Sequence, residues 1–331
     1  MHRVKSTWQW LWVGMFVLLA GCSDVKQDLF DLAMQYERAS AGLSVRSLDV
    51  NGMPIEILES ARGPEQEVLV LIHGFGANKE NWVRFAGQLT DHFQVVAIDM
   101  PGHGQSVKDP SLGYSLEEQV GYLRAIVGEL GLERFHLAGN SMGGGISSLY
   151  AATYPDQVQT LTLFDPAGVF EYESEFVKLV EQGSNPLVVN SLDDYDQLLD
   201  FVMEERPFIP WPILDVMAQQ AVANRPLNEK IFADMKAKLM EDATAFQDRL
   251  ALIQAPTLIL WGKEDRVLDY RNADVFERLI PTSRKVILEH IGHVPMVEVP
   301  EQTAGLLRDF VQSQAEAKAA VPVATSVGPG V

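Results

Sequence analysis

Segment 135–153 constrains the fold more than any other stretch of this chain. Phe135-His136-Leu137-Ala138 is an apolar run of strand length, Gly139-Asn140-Ser141-Met142-Gly143 follows it, and residues 142–153 read as a helix. A strand that passes directly into a helix through Gly-x-Ser-x-Gly must make a tight, strained turn. Glycine on either side of the serine removes the Cβ atoms that would clash there, so the serine hydroxyl stands exposed above the sheet edge. The helix N-terminus behind it offers backbone N–H groups to a developing oxyanion. A glycine-rich turn without chemistry can carry the same five residues, so the surrounding pattern decides between the two readings.

That pattern is an alternation of strands and helices. Val68-Leu69-Val70-Leu71-Ile72 is continuously apolar, as a strand buried on both faces of a parallel sheet requires. Val95-Val96-Ala97-Ile98, before Asp99, is a second such run, and 135–138, 161–164, 257–261 and 286–288 complete the set. Helical patterns at 116–130, 142–153, 271–279 and 302–311 separate them. The alternation predicts an α/β fold with a doubly wound, mostly parallel sheet. Residues 45–50 and 55–58 flank Asn51-Gly52, which predicts an antiparallel hairpin at its start.

The rhythm breaks over 168–251. This stretch is acidic and helix-like, with the aromatic and proline-rich patch Pro207-Phe208-Ile209-Pro210-Trp211-Pro212. Directly after a strand, above the carboxyl ends where ligands bind, it reads as an inserted helical cap or lid; the plainer reading is a longer helical layer. The core is then expected from 43–167 and 252–314. Residues 315–331 are rich in Ala, Val, Gly and Pro without a pattern and are expected to be disordered.

The chain has 331 residues, 47% hydrophobic, which suits one large α/β domain with an insertion, or two domains. A net charge of −19 disfavours nucleic acid and bare anionic lipid surfaces as partners. Cys22 is the single cysteine, which excludes an intrachain disulfide and a cysteine-based metal site. His290 and His293 flank Ile291-Gly292, which breaks a shared helical face, so no metal is expected.

The N-terminus reads as a processing segment. His2, Arg3 and Lys5 make a basic start, and 8–20 is apolar apart from Gln9, shorter than the ~20 residues of a comfortable bilayer span. Leu19-Ala20-Gly21-Cys22 resembles the lipobox of bacterial lipoproteins. The resemblance implies that 1–21 is a signal peptide and that a lipid on Cys22 tethers a soluble domain to the cell envelope. By the same resemblance, a non-acidic residue such as Ser23 implies the outer membrane. A signal anchor, or a merely buried cysteine, is the alternative. Residues 22–42 then form a tether and an N-terminal helix, with Leu29, Leu32, Ala33 and Tyr36 at helical spacing.

Acyl transfer from a serine needs a base, an anion to orient that base, and donors for the oxyanion. Ser141 is the candidate nucleophile. His293, in Ile291-Gly292-His293-Val294-Pro295, follows the last strand on a loop able to reach over the sheet edge, and is the candidate base. Asp265, just beyond Trp261-Gly262, is the candidate orienting carboxylate; Glu264, Asp269 and especially Asp165, at the end of the strand after the elbow, compete with it. His103 and His73 read as turn and loop-fixing residues, and Glu298 as a cap or ion-pair partner near the last helix. The oxyanion donors are expected to be the backbone N–H groups of Met142 and of Phe75, in His73-Gly74-Phe75-Gly76. Acyl transfer of this kind needs no cofactor.

Taken together, His73-Gly74-Phe75-Gly76, Asp99-Met100-Pro101-Gly102-His103-Gly104, Gly139-Asn140-Ser141-Met142-Gly143-Gly144, Trp261-Gly262-Lys263-Glu264-Asp265 and Gly292-His293 resemble the α/β-hydrolase superfamily over roughly 44–311. Asp165-Pro166-Ala167-Gly168 and 261–269 look most like its monoacylglycerol-lipase branch and the related bacterial cold-active lipases. The resemblance implies a serine ester hydrolase acting on acylglycerols or other acyl esters, with no obligate protein partner. Two other readings stand beside it. Carbon–carbon bond hydrolases of ring-cleavage products share Gly-Asn-Ser-Met-Gly-Gly, but usually carry Gly-Pro-Gly in the oxyanion loop and Trp after the histidine. Here those places hold Phe75-Gly76-Ala77 and Val294. A non-catalytic envelope binding protein on the same scaffold is the other; intact Ser141, Asp265 and His293 count against it.

Overall fold

The computed structural model describes residues 23–241 and 244–320. The signal-peptide and Cys22 expectations therefore lie outside the described residues. Helix α1 (Ser23–Ser40) leads into a hairpin of β1 (Leu43–Val50) and β2 (Met53–Ser60). Its two turn residues, Asn51 at φ 56° and Gly52 at φ 81°, are both left-handed, as a two-residue hairpin demands. Then come β3 (Glu67–Ile72), a 3₁₀ turn and α2 (Val83–Gly87), β4 (Phe93–Ile98), α3 (Leu116–Glu129), β5 (Phe135–Asn140), α4 (Met142–Thr153) and β6 (Val158–Phe164). Five helices follow: α5 (Glu175–Glu181), α6 (Leu192–Val202), α7 (Ile213–Ala223), α8 (Arg225–Glu241) and α9 (Ala245–Leu250). The chain returns through β7 (Thr257–Gly262), α10 (Asn272–Leu279), β8 (Ser283–Leu288), α11 (Pro295–Glu298) and α12 (Pro300–Ala320).

One eight-stranded sheet results, in the order β1-β2-β4-β3-β5-β6-β7-β8. From β4 to β8 every pairing is parallel, and β2 joins β4 antiparallel. The two-residue period of a strand divides the apolar runs between two cores. Val68, Val70 and Ile72 enter one, filled by Leu123 and Ile126 of α3, Ile146 and Leu149 of α4, and Phe276 of α10. Leu69 and Leu71 enter the other, with Trp82, Phe85 of α2, and Leu307 and Phe310 of α12. Burying each such side chain contributes about 1.5–3 kcal/mol, so the two cores outweigh the surface ion pairs. α3 is started by a reciprocal cap: Ser115 accepts from the Glu118 N–H, and Glu118 accepts from the Ser115 N–H.

The helices inserted between β6 and β7 carry a small core of their own, of Val189, Tyr195, Leu199, Met203 and Ala218. Val294 and Val297, beyond β8, pack against it. α1 lies against β1, α2 and α7, with ion pairs from Arg38 to Glu80 (2.7 Å) and from Lys26 to Asp215 (2.8 Å). Leu29, Leu32 and Tyr36 of α1 face outward, 44%, 63% and 72% exposed, so of the residues at helical spacing only Ala33 is half-buried.

The expectation of disorder from 315 onward needs correction. α12 continues to Ala320, because Ala315, Ala317, Ala319 and Ala320 are strong helix formers and Gln312 donates to Glu316 one turn on. Residues 321–331 lie outside the described residues. Among the described residues, no helix is long and apolar enough to cross a membrane.

Candidate active site

The candidate residues leave the sheet at one edge. Ser141 follows β5, Asp165 follows β6, Asp265 lies beyond β7 and His293 beyond β8, all at the carboxyl ends of parallel strands. Ser141 sits at φ 53° and ψ −116°, a conformation that non-glycine residues rarely adopt. Neighbours hold it there: the Ser141 N–H donates to Phe164 O (2.9 Å), and the Ser141 carbonyl accepts from the Gly145 and Ala167 N–H groups (both 3.0 Å). The flanking glycines answer to close approach. A Cβ on Gly139 would lie 2.2 Å from Gly143 O, and one on Gly143 would lie 2.2 Å from Ile72 O.

Asp265 and His293 meet directly. His293 Nδ1 is 2.7 Å from Asp265 Oδ2, with both side chains buried. Trp261 Nε1 donates to the same oxygen (3.1 Å), while Oδ1 accepts from the Val267 (2.7 Å) and Leu268 (3.0 Å) N–H groups. A carboxylate that accepts four hydrogen bonds is held in one orientation, and because it accepts from Nδ1, a neutral imidazole carries its proton there and leaves the Nε2 lone pair free. Asn140 Nδ2 donates to the His293 carbonyl (3.0 Å), fastening the histidine loop to the residue before Ser141. Among the described residues no hydrogen bond joins the Ser141 hydroxyl to His293; such contacts tighten when substrate binds.

The expected oxyanion donors lie around Ser141. Met142 opens α4, and first-turn N–H groups have no acceptor within a helix. Phe75 lies in the turn after β3, and its N–H donates to no group among the described residues. Gly74 brings that turn close: a Cβ there would lie 3.3 Å from Ser141 Cβ. The Phe75 ring packs 6.0 Å from Phe232 of α8, which in turn packs 6.0 Å from Phe176 of α5, so the inserted helices cover this loop with aromatic side chains.

Glu298, expected as a cap or ion-pair partner near the last helix, instead holds backbone N–H groups, and sequence reasoning missed the supporting roles of Trp261 and Asn140. Glu298 accepts from Gly292 N–H with one oxygen (3.0 Å) and from Glu204 and Glu205 N–H with the other (2.8 and 2.9 Å). The His293 N–H donates to Val202 O (2.8 Å). His293 thus hangs between the sheet and the end of α6. Trp261, Asn140 and Glu298 all lie within or beside the motifs, but their long-range partners leave no mark in local sequence.

His73 and His103 stay out of this network. His73 Nδ1 meets Gly74 O (2.8 Å) and Nε2 accepts from the Met100 N–H (3.1 Å), so the ring is neutral and fixes two loops. Burial lowers its pKa and pushes that of His103 down to about 3. Unfolded histidines take up a proton near pH 6.5 and these do not, so the unfolded state binds more protons and stability falls on acidification below that pH. The expected loss is about 1.4 kcal/mol per pH unit for each ring, as far as its folded pKa. Urea midpoints between pH 7 and pH 5 should drop accordingly, with a shallower slope in His103→Gln; a flat profile would mean that both rings are charged and solvated.

Comparisons with known proteins bear on the fold. Residues 67–201 match the family model of the alpha/beta hydrolase fold. The chain is 34% identical over 300 residues to Lipase 1 of Psychrobacter immobilis, covering 88% of this chain and 93% of that one. It is 29% identical over 288 residues to the Homo sapiens monoacylglycerol lipase ABHD6, covering 84% and 85%. Among solved structures, a membrane phospholipase A described as a bacterial virulence factor superposes with a TM-score of 0.84 at 40% identity, covering 93% of this chain and 99% of that one. With a sheet of this order and a serine at the turn between its fifth strand and the following helix, the chain belongs to the alpha/beta hydrolase fold family.

Proposed function

We propose that this protein is a serine carboxylic-ester hydrolase of the lipase and monoacylglycerol-lipase kind, cleaving acyl esters through an acyl-enzyme on Ser141. The observation that carries the reading is the 2.7 Å contact of Asp265 with His293 Nδ1, beside a serine held in a strained turn at a helix N-terminus. In the proposed mechanism His293 Nε2 takes the Ser141 proton as Oγ attacks the ester carbonyl. The carbonyl oxygen gathers negative charge between the Met142 and Phe75 N–H groups; one such donor is worth about 2.7–4 kcal/mol in the transition state. The imidazolium, stabilised by Asp265, then protonates the departing alcohol. Water activated by the same nitrogen attacks the acyl-enzyme and releases the acid.

An acylglycerol or similar lipid ester fits the surroundings. Aromatic side chains of the inserted helices lie over the oxyanion loop, and the similar proteins include a lipase, a monoacylglycerol lipase and a membrane phospholipase A. The insertion is the cap of this site. Lipid on Cys22 anchors the enzyme to the bacterial envelope, at the outer membrane, with α1 as the first element of the tethered domain. The test is hydrolysis of p-nitrophenyl esters of increasing chain length, and of a monoacylglycerol, by the full chain in detergent. Turnover rising with chain length is expected. Turnover confined to short chains would leave a general esterase, and none on any ester from a folded protein would sink the reading.

A further inference from the structure

Asp165 has no part in the mechanism above, yet it is fully buried beside it. One of its carboxyl oxygens, one of Asp265 and a ring nitrogen of His293 all lie within 4.8 Å of one another. Oδ1 of Asp165 accepts from the Gly262 N–H (2.8 Å). Oδ2 is buried with no partner among the described residues. The residue is also held in left-handed backbone, at φ 45°, with its N–H on Leu260 O (3.0 Å). A non-glycine residue carries strain there, so its position is set by its surroundings.

Two neighbouring buried carboxyls do not both ionise; the better solvated one keeps the charge. Asp265 has four N–H donors and Asp165 has one. We propose that Asp165 is a proton-bearing positioning residue: it holds the single proton of an Asp165–Asp265 carboxyl pair, so that His293 faces one negative charge, on Asp265. The inference rests on the triad reading above. The titratable groups facing Asp165 are Asp265, Glu298 and His293, and burial followed by the Asp265 charge raises its pKa well above the usual carboxylate range. Ionised, Asp165 would place a second negative charge beside the imidazole, hold a proton on it, and withdraw the base. Neutral, it fills the space behind Asp265 and ties β6 to the end of β7.

The experiment compares Asp165→Asn and Asp165→Leu in the full chain. Asparagine mimics the protonated acid and keeps an acceptor for the Gly262 N–H. We expect kcat/KM within about threefold of the unchanged protein, and the acid limb of its pH profile to stay in place, because no charge has been removed. Leucine leaves that N–H unpaired and should lower kcat with little change in KM. Infrared difference spectra should show the C=O band of a protonated carboxylic acid, lost in Asp165→Asn, a readout independent of turnover. An acid limb moved down by about one pH unit or more in Asp165→Asn would mean that Asp165 is ionised and would overturn the proposal. So would absence of the carboxylic-acid band. Failure of the ester-hydrolase reading would instead show as no turnover in the unchanged protein, with the band still present.

Discussion

Ser141→Ala is expected to lower kcat on a susceptible ester by about 10⁴- to 10⁶-fold while leaving the protein folded. The loss is large because, in the proposed mechanism, base, orienting acid and oxyanion donors act through one oxygen atom. Without it, His293 has no proton to take and Met142 and Phe75 have no intermediate to hold. Folding should be indifferent, since the Ser141 hydroxyl makes no hydrogen bond among the described residues and alanine keeps the same backbone. The conformation at φ 53° and ψ −116° costs any side-chain-bearing residue about 1–3 kcal/mol, so Ser141→Gly should melt higher than either. Steady-state kinetics with thermal melts on the three proteins checks both halves. Turnover in Ser141→Ala within about 100-fold of the unchanged protein would remove Ser141 from the nucleophile role.

Gly143→Ala should have a large effect on stability. Its Cβ would lie 2.2 Å from Ile72 O and 2.5 Å from His73 O, and both obstacles are backbone. Relief requires α4 to move away from β3, which opens the first core along Ile146 and Leu149. A loss of about 3 kcal/mol or more is expected, with loss of activity as the elbow shifts. Gly121→Ala supplies the contrast: it lies on an exposed position of α3, where a Cβ would meet nothing within 4 Å, and should stabilise by about 0.5–1 kcal/mol. Equal urea midpoints for the two variants would contradict the packing argument.

Much of this molecule could be read from the sequence because its decisive signals are local. Strands buried on both faces, such as β3 and β4, leave apolar runs, and Asn51-Gly52 marks its hairpin by backbone chemistry alone. Ser141, Asp265 and His293 each stand a few residues past such a run, so strand order alone brings them to one edge. What stayed hidden depends on distant partners. Asn140 holds the His293 carbonyl across 153 residues, and Glu298 reaches Glu204 across 94. Phe232 meets Phe75 only because the inserted helices fold back over the oxyanion turn. The last six residues of α12 escaped notice for another reason: an alanine-rich stretch without an apolar stripe looks the same in sequence whether it extends a docked helix or not.

The two halves of the site differ in what can disturb them. Ser141 stands on a pedestal of main-chain contacts with β6, the turn after it and α4, which are blind to the identity of surrounding side chains so long as the glycines remain. His293 is suspended between the sheet and the inserted helices, by the Val202 carbonyl and by one carboxylate on Glu298. A change in the insertion would therefore reach His293 first and Ser141 hardly at all. Homologues with altered insertions would keep a sound serine and differ in how well the imidazole is aimed. Their rates would diverge, and labelling of the serine by small, reactive phosphonates, which also needs the imidazole to take the hydroxyl proton, would fall with them.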